Sequence, residues 1–113
     1  MVVNSGNGAA GPTFDRLRNK LSDLSCPLIF EHMFSEPDGN FPNGVPNPMK
    51  SENQMPTRAK VLEFGANLGV AFDGDFDRCF ICDEEGNFIE GEYIVALLSE
   101  IFLKGEELSL IHI

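Results

Sequence analysis

The chain has 113 residues, the length of one ordinary domain, and a composition of 42% apolar and 23% charged residues supports a packed core rather than a disordered coil. Its 8 basic and 18 acidic residues leave a formal net charge of -10, which repels a phosphate backbone and excludes nucleic acid as a partner. No window approaches the roughly 20 apolar residues that cross a bilayer, and the first residues lack a secretory pattern, so no membrane partner is expected and the expected compartment is the cytoplasm.

Val2 and Val3 read as the end of an apolar strand leading into the turn-rich stretch Asn4 to Gly11, so the chain is expected to open inside an element. A helix is predicted from Pro12, with Phe14, Leu17, Leu21 and Leu24 on its apolar face. Pro27 ends it, and Leu28, Ile29 and Phe30 are expected to form the next strand.

The segment from Ser35 to Pro56 holds five of the seven prolines and is predicted to be an irregular loop. A helix capped by Thr57 should follow, turning Ala59, Leu62, Ala66 and Phe64 toward the core. Leu68 to Phe72 and Arg78 to Asp83 read as strands on either side of an acidic turn, and Glu85-Gly86-Asn87 as a second turn. From Gly91 to Lys104 a helix places Ile94, Leu97, Leu98, Ile101 and Phe102 on one face, with Gly105 as its stop.

Cys26, Cys79 and Cys82 are odd in number and lie in apolar surroundings, which suits reduced, buried thiols. The Cys79 and Cys82 pair has no second pair to complete a zinc site. His32 and His112 receive no chemical role, and Glu31 gives His32 no dyad geometry because neighbours on an extended chain point to opposite faces.

Asp73-Gly74-Asp75-Phe76-Asp77-Arg78 sets three carboxylates on alternate positions directly after an apolar strand. Their mutual repulsion calls for a cation, and hard oxygen donors suit Mg²⁺ or Ca²⁺. Arg78 adds a planar fork for phosphate or carboxylate. A solvated Asp-Gly turn accounts for the same residues without chemistry.

A calcium loop of the EF-hand kind matches Asp73, Asp75, Asp77 and Glu84, but Arg78 stands where Gly is required and the flanks read as strands. An aspartyl-phosphate site of the haloacid dehalogenase type matches Phe72 to Asp75 but leaves the third carboxylate without work.

The hexapeptide resembles the metal loop of the alpha-D-phosphohexomutases, in which three aspartates hold Mg²⁺. Val2 to Pro12, Pro37 to Pro48 and Phe88 to Gly91 are similar to further segments of the same family in the same order, nearest to its bacterial members acting on mannose phosphates. The resemblance extends to about Lys104.

It implies an α/β fold, a three-layer α/β/α domain with a mixed sheet. Residues 1–86 would form the family's second domain, truncated at its first strand, and residues 87–113 the incomplete start of its third. It implies Asp73, Asp75 and Asp77 as Mg²⁺ ligands and Arg78 as a catalytic contact to phosphate.

The implied reaction interconverts mannose 6-phosphate and mannose 1-phosphate through a phosphoserine and a bisphosphate. The implied partners are a hexose phosphate and the remaining domains of the same polypeptide. Glucose phosphate as substrate, dual specificity for mannose and glucose phosphates, or a free-standing metal-binding module without catalysis, are the other readings.

No serine here stands in the family's Ser-His-Asn-Pro setting, so the chain is expected to be inactive alone. Its opening third-domain helix is expected to expose apolar surface, and residues 109–113 fall outside the resemblance.

Overall fold

The computed structural model describes residues 1–104. The expectations at Gly105, at His112 and for residues 109–113 lie outside the described residues. Seven elements follow one another: β1 (Val2–Asn4), α1 (Ala10–Asp23), β2 (Glu31–Met33), α2 (Ser51–Phe64), β3 (Gly69–Phe72), β4 (Cys79–Cys82) and α3 (Gly91–Leu103).

The strands form one sheet in the order β2-β1-β3-β4. β1 pairs in parallel with β2 and β3, whereas β3 and β4 are antiparallel, so the sheet is mixed as expected.

Alternation along the strands assigns the two faces. Val2 packs with Val61 of α2, Ala66 and Cys82, flanked by Met33 and Phe88, which puts α2 on one side. Gly69 lets α2 approach β3 closely, since a Cβ there would lie 2.6 Å from Val61 Cγ2. On the other side His32 meets Phe14 of α1, ring against ring at 4.8 Å. Helix, sheet and helix therefore form three layers.

Several boundaries differ from the sequence reading. α1 begins at Ala10 rather than Pro12; Pro12 falls in the first turn, where its missing N–H has no partner to lose. β2 lies at Glu31–Met33, three residues beyond the apolar run, because pairing with β1 aligns Val3 with His32 and Glu31 donates its N–H to the Met1 carbonyl. Leu28 and Ile29 stay exposed.

α2 starts six residues before Thr57 and contains Pro56. Side chains of its first turn anchor it to the preceding loop: Asn53 Nδ2 donates to the Val45 and Asn47 carbonyls, and Gln54 Nε2 donates to the Pro48 carbonyl. Thr57 is not a cap. It is buried and accepts a hydrogen bond from Asn4 Nδ2 at 2.9 Å, which turns Thr57 and Val61 inward and leaves Ala59, Leu62 and Phe64 exposed; Ala66 is buried as expected.

Of the thiols, Cys82 is buried, Cys26 half-buried and Cys79 exposed, so Cys79 departs from the expected buried state. Three places apart on β4, Cys79 and Cys82 point to opposite faces. α3 has no buried residue, and Tyr93, Leu97, Leu98, Ile101 and Phe102 are all exposed. No helix among the described residues is long and apolar enough to cross a membrane.

Candidate metal centre

The acidic hexapeptide is the connection of the β3–β4 hairpin, whose last rung pairs Phe72 with Cys79. Asp73 N–H donates to the Arg78 carbonyl at 3.3 Å and Phe76 N–H to the Asp73 carbonyl at 3.3 Å, folding six residues into a compact turn. Phe76 makes the reversal at φ 67°, a left-handed conformation uncommon for an aromatic residue, and its ring stands edge-on against Phe72 at 4.9 Å.

This turn brings one oxygen each of Asp73, Asp75 and Asp77 within 4.8 Å of one another. Asp73 is the fixed member: its side chain is 1% exposed, Oδ1 accepts the Arg78 backbone N–H at 3.0 Å, and Oδ2 accepts Arg78 Nε at 2.7 Å. Asp75 and Asp77 face solvent. Arg78 also lies 3.5 Å from Asp77 Oδ1 and touches Met49 Sδ through Nη1 at 3.8 Å.

Burial by itself pushes the Asp73 carboxyl up, but the Arg78 backbone and side-chain hydrogen bonds outweigh it and hold the group at about 2. Asp77 is raised by its hydrogen bond with Asp73 and then by the charge of Asp75. Arg78 is raised chiefly by its hydrogen bond to Asp73.

The donor set fits a hard divalent cation. Each Asp73 oxygen retains a lone pair beyond its bond to Arg78, and the two exposed carboxylates add the hard oxygen donors that an octahedral divalent ion takes.

Two neighbouring loops hold the turn. Ala9 N–H donates to the Gly74 carbonyl at 3.0 Å, and a Cβ on Gly8 would lie 2.6 Å from the same oxygen, so the 5–9 turn rests directly on Gly74. Phe41 of the proline-rich loop covers the other side, its Cζ 3.3 Å from where a Gly74 Cβ would stand.

Asn7, which the sequence reading left without a role, ties the two loops together. Its carbonyl accepts Asp38 N–H at 2.9 Å and its Oδ1 accepts Asn43 Nδ2 at 2.8 Å. The cleft of about 80 Å³ beside this roof, lined by Asn4, Phe34, Pro46 and Glu52, has room for water but not for a hexose phosphate.

Glu31 gives His32 no partner, as expected, and the structure supplies one that the sequence reading did not consider, Asp15. His32 Nδ1 lies 3.1 Å from Asp15 Oδ1 and Nε2 lies 2.7 Å from Ser5 Oγ.

A mixed sheet layered between helices, with a carboxylate-lined, arginine-braced turn at a strand end, defines the class: a three-layer α/β/α domain that carries an acidic turn. The family model described as phosphoglucomutase/phosphomannomutase, alpha/beta/alpha domain II, matches residues 1–86. The chain belongs to the phosphoglucomutase/phosphomannomutase family.

A phosphomannomutase of Salmonella montevideo is 57% identical over 104 residues, covering 92% of this chain and 23% of that protein. A protein of Xanthomonas campestris pv. campestris named for phosphohexose mutases is 52% identical over 103 residues, covering 91% and 22%. The crystal structure of a phosphoglucomutase/phosphomannomutase family protein from Burkholderia thailandensis superposes with a TM-score of 0.79 at 36% identity, covering 91% of this chain and 21% of the other. The chain thus spans about a quarter of the length of the relatives it matches.

Proposed function

We propose that this chain is the metal-loop portion of a phosphohexomutase of the phosphomannomutase type, with Asp73, Asp75 and Asp77 as ligands of Mg²⁺. The observation that carries this reading is the gathering of three carboxylate oxygens within 4.8 Å at the end of β3. In the complete enzyme the reaction would interconvert mannose 6-phosphate and mannose 1-phosphate by way of a phosphoserine and a bisphosphate. Mg²⁺ held here would neutralise charge on the transferring phosphoryl group.

The chain's own residues supply the setting. Asp73, anchored by Arg78, fixes one ligand in place, while Asp75 and Asp77 close from solvent. Arg78 is the candidate catalytic residue: tied down through Nε, its side chain is still 46% exposed and can offer its outer nitrogens to a phosphate oxygen.

Residues 1–86 form the second domain in this reading, and α3 opens the third. Its uncovered apolar side chains are what a helix awaiting a sheet would show. The partners are a hexose phosphate and the other domains of the full polypeptide, and the free thiols suit a reducing, cytoplasmic setting.

Names that join glucose and mannose activities among the relatives favour dual specificity as the second reading. Calorimetric titration with Mg²⁺ tests the site: the chain should bind the ion, and Asp75→Asn should weaken binding at least about tenfold. Absence of binding would overturn the metal assignment. Conversion of mannose 6-phosphate by the isolated chain would overturn its proposed dependence on the other domains.

A further inference from the structure

Ser5, His32 and Asp15 form a connected chain of side chains from the residue after β1 through β2 to α1. Parallel pairing sets Val3 opposite His32, and Ser5, two residues after Val3, projects to the same face. The imidazole is 3% exposed, enclosed by Phe14, with Nε2 2.7 Å from Ser5 Oγ and Nδ1 3.1 Å from Asp15 Oδ1. Asp15 is itself held by Arg18 at 3.1 Å.

With Nδ1–H donating to the carboxylate, Nε2 is the acceptor and the Ser5 hydroxyl the donor. The order of partners is that of a serine nucleophile, but Ser5 is 0% exposed, so no substrate reaches its oxygen. The chain of contacts therefore serves geometry.

Its far end is the metal loop. Ser5 accepts the Gly8 N–H on its carbonyl at 2.9 Å, Gly8 abuts Gly74, and Ala9 N–H donates to the Gly74 carbonyl at 3.0 Å. Gly74 separates Asp73 from Asp75. We infer that His32 is a positioning residue for the three carboxylates: by holding Ser5 it sets the 5–9 turn, and that turn sets Gly74 and the spacing of Asp73 and Asp75. This inference rests on the proposed metal reading for its functional meaning, while the positioning itself is a property of the ion-free fold.

The test uses the 113-residue chain and variants that split the two imidazole contacts. His32→Gln reaches the Nε2 position and keeps Ser5; His32→Asn reaches only the Nδ1 position and keeps Asp15; Ser5→Ala removes the hydroxyl. Amide hydrogen exchange at Ala9 reads the contact with Gly74 without any ion. Calorimetric titration with Mg²⁺ reads the spacing of the carboxylates.

His32→Asn and Ser5→Ala should speed Ala9 exchange about tenfold with Val3 and Val70 unchanged, and should weaken Mg²⁺ binding about tenfold. His32→Gln should leave both near the unsubstituted chain. Unchanged Ala9 exchange in Ser5→Ala and His32→Asn overturns the inference, as does an equal loss in His32→Gln, which would mark a packing role. If the unsubstituted chain binds no Mg²⁺, the metal reading fails separately and the exchange comparison decides the positioning.

Discussion

Arg78 engages both carboxylate oxygens of Asp73, one through its backbone N–H at 3.0 Å and the other through Nε at 2.7 Å. The arginine thus closes the hairpin turn and keeps a buried carboxylate ionised.

Removing the side chain half of this grip should be costly. In Arg78→Met the backbone bond survives, but Oδ2 of a 1% exposed carboxylate loses its charged donor. A loss of about 2 kcal/mol is expected from a buried acceptor left unpaired. Arg78→Lys should recover part of it, since the charge remains while the fork is lost. Urea unfolding midpoints at neutral pH measure both.

Acid stability follows from the same contact. The Asp73 carboxyl is lowered from 3.8 to about 2 in the folded chain. A depressed carboxyl contributes stability that is fully present above the unfolded value, near pH 4, and is lost as pH falls through about 2. The amount is on the order of 2 kcal/mol.

Asp83, lowered first by the backbone N–H of Asn87, acts with the same sign. Asp73 is isolated by comparing urea midpoints of the unsubstituted chain and Asp73→Asn across this range. The acid loss should be smaller in the variant, and identical slopes would contradict the assignment.

The parts of this site read most directly from sequence were contiguous ones. Apolar runs made β3 and β4 evident, and the alternating carboxylates between them needed only a tight turn to converge. α3 was similarly legible from its spacing.

What pairing decides was not legible. Leu28 to Phe30 are the more apolar triplet, but β1 selects Glu31 to Met33 by register. Pro56 suggested a helix boundary, yet Asn53 and Gln54 fasten the first turn of α2 to the loop before it, an arrangement visible only once Val45 to Pro48 are folded back. Asn4, 53 residues away in sequence, captures Thr57 and sets the inward face of α2. The partners of His32 were not legible because Ser5 and Asp15 lie 27 and 17 residues from it.

Phe76 tests whether the acidic turn stores strain. Its φ of 67° is one that glycine adopts freely and β-branched residues resist. Phe76→Val should therefore destabilise the chain by about 2 kcal/mol. Phe76→Gly gains relief of a similar kind but forfeits the edge contact with Phe72, worth about 1 kcal/mol. Thermal or urea unfolding should place the glycine variant near the unsubstituted chain and well above valine. Equal losses in the two would show that the ring contact, not the backbone, dominates.

Asp77 separates stability from binding. Its carboxyl is raised by the hydrogen bond with Asp73 and by the charge of Asp75, so in the ion-free fold its negative charge at neutral pH is unfavourable. The sign is opposite to that of Asp73: a raised carboxyl costs stability above its folded value, and the cost is relieved as pH falls through it.

Asp77→Asn removes the charge while keeping the shape, at the expense of a 3.5 Å approach to Arg78 on the surface. The urea midpoint of the ion-free variant should rise at neutral pH. Mg²⁺ affinity should fall by at least about tenfold, because a proposed ligand has lost its charge. A residue retained for folding would lower the midpoint when replaced. A midpoint that rises while binding falls would support the proposed role, a carboxylate held against repulsion in order to take a cation.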